Sequence, residues 1–278
     1  MKFTLSVAMC RPAQLTELAA TAQECGYAAI ALPDSIFYSE HASAAYPYTP
    51  DGSRFWNDQT PWFDPLIAAA AMAQVTTTLR FYTQVLKLGP RNPLLLARQV
   101  GTVAHLTGNR FGLGVGIGWS PEESEWCGAP FTHRGARMDE AIDVLKLVLS
   151  GGMVEYHGKF FDFDKLTMSP PPTAPVPFYI GGHTDAALRR AARIGDGWSS
   201  AMMTLDELKR TIDRLRPEVG DRPFEYQAVC IDRFGPDGYR EQQDIGVTDA
   251  IVAPWFFYRG MSKPDAARRF AEEVMSRV

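Results

Sequence analysis

Apolar positions along this chain switch repeatedly between two spacings. Short, mainly apolar runs at residues 3–9 and 27–32 read as buried strands, and between them Leu15, Leu18, Ala19, Ala22 and Cys25 recur at helical spacing until Gly26 stops the pattern. Asp64 is placed to cap a helix through Ala73, residues 79–88 form a third strand, and Pro93 opens the next helix in its first turn. Residues 111–117 are a fourth strand. Met138, Ala141, Ile142, Leu145, Val148 and Leu149 then make one apolar stripe on a helix, followed by a small hairpin at residues 154–163. Further short apolar runs at 176–180, 197–201, 226–231 and 250–254 each precede a helical pattern, at 185–194, 205–215, 238–243 and 264–278.

The pattern predicts about eight strand–helix pairs, the number that closes a parallel (β/α)8 TIM barrel, with an insertion after the second strand and the hairpin after the fourth helix. A doubly wound open sheet is the alternative. In a closed barrel, chemistry gathers at the carboxyl ends of the strands, so strand-end residues become the functional candidates. The 278 residues are expected to form one domain, residues 1–278, since no Pro/Gly/Ser linker divides them.

Charge and composition narrow the classes. Basic and acidic residues, 28 against 32, are spread without blocks, which argues against a nucleic-acid or anionic-membrane surface. No apolar run reaches the ~20 residues of a membrane span. The four cysteines form no CxxC pair, and the opening residues lack a signal-peptide core, so a reduced, cytoplasmic protein is expected. His105, His133 and His157 have no metal-ligand spacing, so no metal is expected. Nucleophile-elbow and Walker motifs are absent, which disfavours acyl and phosphoryl transfer.

Three segments carry candidate chemistry. In GLGVGIGW, Gly112, Gly114, Gly116 and Gly118 alternate strictly, which strips one face of a strand of side chains. Gly112 and Gly114 serve either tight packing or ligand approach, whereas Gly116, Gly118 and Trp119, nearer the strand end, are ligand-contact candidates. Second, a strand ends at Gly181-Gly182, and His183-Thr184-Asp185 leads into a helix whose free amides and dipole would face the barrel mouth. That geometry suits a phosphate, and it equally suits a plain cap by Thr184 or Asp185. Third, the insertion at 36–63 holds eight aromatic residues, among them Tyr38 and Trp56. It is too long for an ordinary connection and too aromatic for a flexible linker. It either roofs the mouth and shapes a substrate pocket, or packs on the outer helices or a second subunit.

The segments GYAAIALPDS (26–35), LARQVGTVAHLTGNRFGLGVGIGW (96–119), FTHRGARMDEAIDVLKLVLSG (131–151) and PVPFYIGGHTDAALRRAARIGDGW (175–198) resemble the bacterial luciferase-like barrel superfamily, most closely its oxidoreductases that use the deazaflavin coenzyme F420. The resemblance implies hydride transfer between that coenzyme and a small-molecule substrate. The other readings are an FMN-dependent monooxygenase and a coenzyme-binding protein without turnover. It also implies that Gly181, Gly182, His183 and Thr184 hold the coenzyme's phosphate, that a non-prolyl cis peptide at Gln84-Val85 backs its ring, and that the protein is a homodimer. Asp34 falls where the family has an Asp-His pair, which makes it the candidate acid or base, but Ser35 replaces the histidine. Ser35, Tyr38, His41 and Trp56 are then the candidate substrate pocket, with His41 able to substitute for the missing imidazole if the loop folds back. Arg134 and Arg137, on the helix after the fourth strand, read as a solvated face or as phosphate contacts.

Overall fold

The computed structural model, which describes residues 1–278, turns the alternating runs into a closed ring of strands. In chain order the elements are β1 (Lys2–Ser6), α1 (Leu15–Glu24), β2 (Ala29–Leu32), α2 (Pro65–Ala73), β3 (Arg80–Thr83), β4 (Leu86–Lys87), α3 (Pro93–Leu106), β5 (Phe111–Gly116), α4 (Pro121–Glu125) and α5 (Arg134–Leu149). The hairpin β6 (Val154–His157) and β7 (Asp162–Leu166) follows. The chain then continues through β8 (Phe178–Gly181), α6 (Asp185–Ile194), β9 (Gly197–Met203), α7 (Leu205–Val219), β10 (Glu225–Cys230), α8 (Gly235–Asp244), β11 (Asp249–Val252) and α9 (Lys263–Glu273).

Every pairing in the main sheet is parallel. β1 bonds both β2 and β11, and β3 bonds both β2 and β5, so the sheet has no free edge and the open doubly wound alternative is ruled out.

Local sequence explains the helix starts. Asp64 and Asn92 each accept two backbone N–H groups of the helix they precede, with Pro65 and Pro93 next in the chain. The apolar stripe foreseen on α5 is buried at Met138, Ala141, Ile142, Leu145 and Val148. Several boundaries differ from the sequence expectation. α7 runs on to Val219 through an internal Pro217, α8 begins at Gly235, and α9 stops at Glu273. The short helix α4 was not anticipated; Ser120 caps it by accepting the Glu123 N–H.

The expected third strand is broken in two. Between Tyr82↔Gly112 and Leu86↔Val115, four residue steps on this strand face three on β5, and the extra residue is taken up at Gln84-Val85, whose peptide bond is cis. The bulge turns Val85 toward the mouth.

Most of the apolar core lies between the strands and the surrounding helices. The inside of the barrel is partly polar. At its floor, formed by the amino ends of the strands, the buried Asp249 carboxylate accepts hydrogen bonds from Thr4 (2.9 Å) and Tyr82 (3.2 Å). Arg80 bridges Glu225 (2.9 Å) and the Tyr179 hydroxyl.

Candidate functional site

The opposite end, where the strands finish, is the mouth. β2 ends at Leu32, and Pro33-Asp34-Ser35 turns the chain outward. Asp34 is buried, and both its oxygens are engaged. Arg91 grips it with a two-pronged contact at 2.8 Å on each oxygen, and the Lys87 N–H adds a third bond at 2.8 Å. Arg91 also donates to the Lys87 carbonyl (2.7 Å). The carboxylate proposed from sequence as an acid or base is therefore a clamp that ties the end of β2 to the end of β4.

The proton-bearing groups lie one step away. Lys87 pairs with Glu123 on α4, and both side chains are nearly inaccessible, at 11% and 5% exposure. The other Glu123 oxygen accepts the Ile36 N–H (2.9 Å) and the Ser35 hydroxyl (3.3 Å). Ser35 thus completes a Ser35–Glu123–Lys87 chain where the family would carry a histidine. Neighbouring Glu122 accepts the Ser43 N–H and the Ser120 hydroxyl, each at 2.8 Å. Burial pulls the Glu122 carboxyl up, but these bonds outweigh it and hold it at about 2.

Sequence reasoning missed Lys87, Arg91, Glu122 and Glu123. The available signals were a lysine between two leucines near the end of a strand and two adjacent acids directly behind a Ser-Pro start.

The alternating glycines have a packing explanation. A Cβ on Gly114 would fall 1.9 Å from the Thr83 carbonyl oxygen, and one on Gly112 would fall 2.6 Å from the Tyr179 ring. Gly116 and Gly181, both assigned from sequence to the ligand, leave room for the Val85 side chain, which hypothetical Cβ atoms there would meet at 2.8 and 2.9 Å. Val85 therefore stands on a floor of glycines and is the surface presented to the mouth. Gln84 beside it donates to the Ser200 carbonyl (3.3 Å). Gly118, with φ +79°, lies against the stem of Lys87, and its carbonyl accepts from Arg134 Nε (3.3 Å). That bond directs Arg134 to the mouth, while Arg137 stacks on Phe161.

At the end of β8, Gly182 adopts φ +115°, a conformation that suits glycine, and its carbonyl accepts the Trp198 indole N–H (2.9 Å). Thr184 caps α6 by accepting the Ala187 N–H, so the cap foreseen from sequence is present. The amides of Asp185 and Ala186, the first in the helix, have no acceptor within it and point outward. His183 is held by its Nε2, which accepts the Ala201 N–H (3.0 Å). Burial lowers its pKa, partly opposed by Glu207, so the ring is neutral with its proton on Nδ1, free to donate.

The aromatic insertion roofs this end of the barrel rather than packing on the outer helices. Tyr46 meets Trp119 edge to face at 5.5 Å, and Tyr48 meets His183 at 5.1 Å. Trp56 joins Tyr46, Trp62 and Trp119 in the same cluster. Glu122 and Glu123 fasten the start of the roof through the Ser43 and Ile36 amides. Tyr38 stacks under Arg54 (3.9 Å) within the loop. His41 is exposed, so the loop does not carry it inward to replace the missing imidazole.

Comparison with known proteins agrees with this architecture. The sequence model of the luciferase-like monooxygenase family matches residues 4–234. An uncharacterised protein of Mycobacterium tuberculosis is 45% identical over 256 residues, covering 91% of this chain and 88% of its own. An F420-dependent glucose-6-phosphate dehydrogenase of Nakamurella multipartita is 29% identical over 285 residues, 95% of this chain and 76% of that protein. Among solved structures, the coenzyme F420 dependent tetrahydromethanopterin reductase of Methanopyrus kandleri superposes with a TM-score of 0.77 over 99% of this chain and 98% of that one, at 15% identity, a likeness of fold.

Proposed function

The chain belongs to the luciferase-like monooxygenase family and is an oxidoreductase, and from that premise we propose that it moves a hydride between coenzyme F420 and a small organic substrate at the barrel mouth. The residues present fit such a group. The end of β8 offers outward amides at Asp185 and Ala186 and a free Nδ1–H on His183, a donor set suited to a phosphate. Gly182 keeps that approach open, because a Cβ there would meet the Ala187 methyl at 2.9 Å. Val85, raised on its glycine floor, offers an apolar platform suited to a flat ring. When bound, the coenzyme supplies the hydride chemistry at its ring.

The chain's own contribution is orientation, dryness and a proton. The Asp34–Arg91 clamp fixes the end of β2 against β4 and so places Ser35. The roof of Tyr46, Tyr48 and Trp56 excludes water, and each ring contact adds ~1 kcal/mol to its closure. Because Tyr46 and Tyr48 cover Trp119 and His183, a coenzyme can reach those residues only when this part of the roof lifts. Ser35 Oγ and Lys87 Nζ, joined through Glu123, are the groups from which a proton reaches the substrate, in place of the family's histidine.

The observation that carries this reading is the placement of the open α6 terminus beside the Val85 platform beneath an aromatic roof. Its test is titration with F420 and with FMN, followed by tryptophan quenching, and then turnover against alcohol, ketone and enone panels. Saturable F420 binding with bleaching of the deazaflavin band, and at least ~10-fold weaker binding in Gly182→Asp by charge repulsion, is expected. FMN binding with oxygen uptake would replace it with a monooxygenase. Coenzyme binding without any turnover would leave a carrier, and no binding of either coenzyme would overturn the reading.

A further inference from the structure

The inner face of the barrel floor carries a group of polar side chains in which the mouth has no share. Ser199 on β9, Gln227 on β10 and Asp249 on β11 sit in register on adjacent parallel strands, Gln227 pairing with both of the others. Neighbouring strands lie ~4.8 Å apart, so the three side chains stand next to one another on the face that Thr4 and Tyr82 reach from across the ring. All three are sealed from solvent, at 2%, 0% and 1% exposure. Each also has an oxygen with no partner in the chain: Ser199 Oγ, Gln227 Oε1 and Asp249 Oδ1. Buried polar atoms seldom stay unpaired even singly, and three at one register level call for a shared partner.

The chemistry of the three oxygens narrows that partner. Gln227 cannot turn its amide round to serve Asp249, because its Nε2 donates to Glu225 (3.2 Å), a carboxylate that Lys2 and Arg80 keep ionised. Its Oε1 therefore remains an acceptor. Asp249 Oδ1 is an acceptor too, since the other oxygen of that carboxylate already takes Thr4 and Tyr82. A proton on Asp249 Oδ1 answers Gln227 but leaves Ser199 without a partner. A hard cation takes about six or more oxygens where three are free, and the charges of the floor, Lys2 and Arg80 against Glu225 and Asp249, already balance. A water molecule matches the count: it donates one hydrogen to each acceptor and accepts the Ser199 hydroxyl, and about three bonds is the usual complement of a buried water.

We propose that the barrel floor is a binding site for one internal water, held by Ser199, Gln227 and Asp249, and that this water ties β9 into the polar network of the other strands. The Ser199 side chain makes no bond to that network directly. Through the water, hydrogen bonds run from Thr4 on β1 by way of Asp249 on β11 and Gln227 on β10 to β9. The site lies at the opposite end of the barrel from the mouth and stands or falls independently of any coenzyme there.

The test is a high-resolution crystal structure of the wild-type protein, with melting temperatures measured alongside in sodium, potassium and choline chloride. One well-ordered water is expected within ~2.7–3.2 Å of Ser199 Oγ, Gln227 Oε1 and Asp249 Oδ1, with a melting temperature indifferent to the cation of the salt. Asp249 Oδ1 resting directly on Gln227 Oε1, with no density between the three side chains, would overturn the proposal. So would a sphere of density with contacts near ~2.4 Å and a melting temperature that follows the cation, which would make the floor an ion site. The double variant Ser199→Ala, Gln227→Met leaves the water a single partner, so its density is expected to vanish and the melting temperature to fall by roughly 2–6 °C. Unchanged density in that variant would also count against the site, and if the variant does not fold, the wild-type map decides alone.

Discussion

The two ends of this barrel bury similar chemistry and use it differently. At the floor, Asp249, Glu225, Arg80, Tyr82, Tyr179 and Thr4 are strand residues whose bonds to one another all run across the ring, with only Asp249 Oδ1 among their carboxylate oxygens buried and unpartnered. At the mouth, Asp34–Arg91 and Lys87–Glu123 also pair in near-dry surroundings, but Glu123 and its neighbour Glu122 reach on to loop amides, at Ile36 and Ser43 respectively. A network closed within strands makes the ring rigid. A network that ends on a loop fastens the roof to the barrel. The difference separates the stabilising end of the barrel from the working end, as expected where chemistry belongs at the carboxyl ends of the strands.

The comparison can be broken most sharply by removing Arg91. Arg91→Ala leaves the Asp34 carboxylate buried without its partner, and ~3–5 kcal/mol of stability in urea unfolding is expected to go. Asp34→Asn in the same background should restore more than half of it. A loss under ~1 kcal/mol would show the clamp to be dispensable.

The floor is tested by pH. Burial raises the Asp249 carboxyl to about 6, opposed by the Thr4 hydroxyl and reinforced by Glu225. Because the folded value lies above the unfolded one, its contribution is fully present below about pH 4 and is lost as pH climbs through 6, by as much as ~3 kcal/mol. Asp249→Asn should flatten that slope and leave the variant more stable than wild type at pH 8. Stability that does not change between pH 4 and 6 would contradict the account.

The mouth has the opposite sign. Glu122 is held down at about 2, so its contribution is present above about 4.5 and fades as pH falls toward 2. Glu122→Gln should therefore lower the neutral-pH melting temperature, flatten the loss of stability between about pH 4.5 and 2, and increase hydrogen exchange at Ser43. The smallest effect belongs to Tyr48→Ala. It removes two edge-to-face contacts, with His183 and Tyr46, so a loss of ~1–2 kcal/mol is expected, with faster coenzyme association as its more telling readout.

The ring of strands was legible in the sequence because each strand is short, apolar and followed by a helix with its own cap, such as Asp64 before α2. The end of β8 was legible for the same reason: two glycines followed by a capping threonine have a local meaning. What escaped was everything set by pairing across the ring. Gly116 and Gly181 looked like ligand contacts because a missing side chain does not say what fills its space, and here Val85 fills it. Asp34 looked free because its partner, Arg91, lies 57 positions away. Glu123 and Lys87 carried no motif at all. The interrupted third strand at Gln84-Val85 followed from family resemblance and not from periodicity, which reads residues 79–88 as continuous.

The central claim is that a planar coenzyme lies on Val85 with its phosphate at the His183–Ala186 turn, beneath a roof that has opened to admit it. A crystal structure of the protein soaked with F420 tests it most directly. The account expects the ring against Val85, the phosphate at the α6 amides, and Tyr46 and Tyr48 displaced from Trp119 and His183. Coenzyme bound elsewhere on the surface, with the roof still closed over an unchanged mouth, would contradict it.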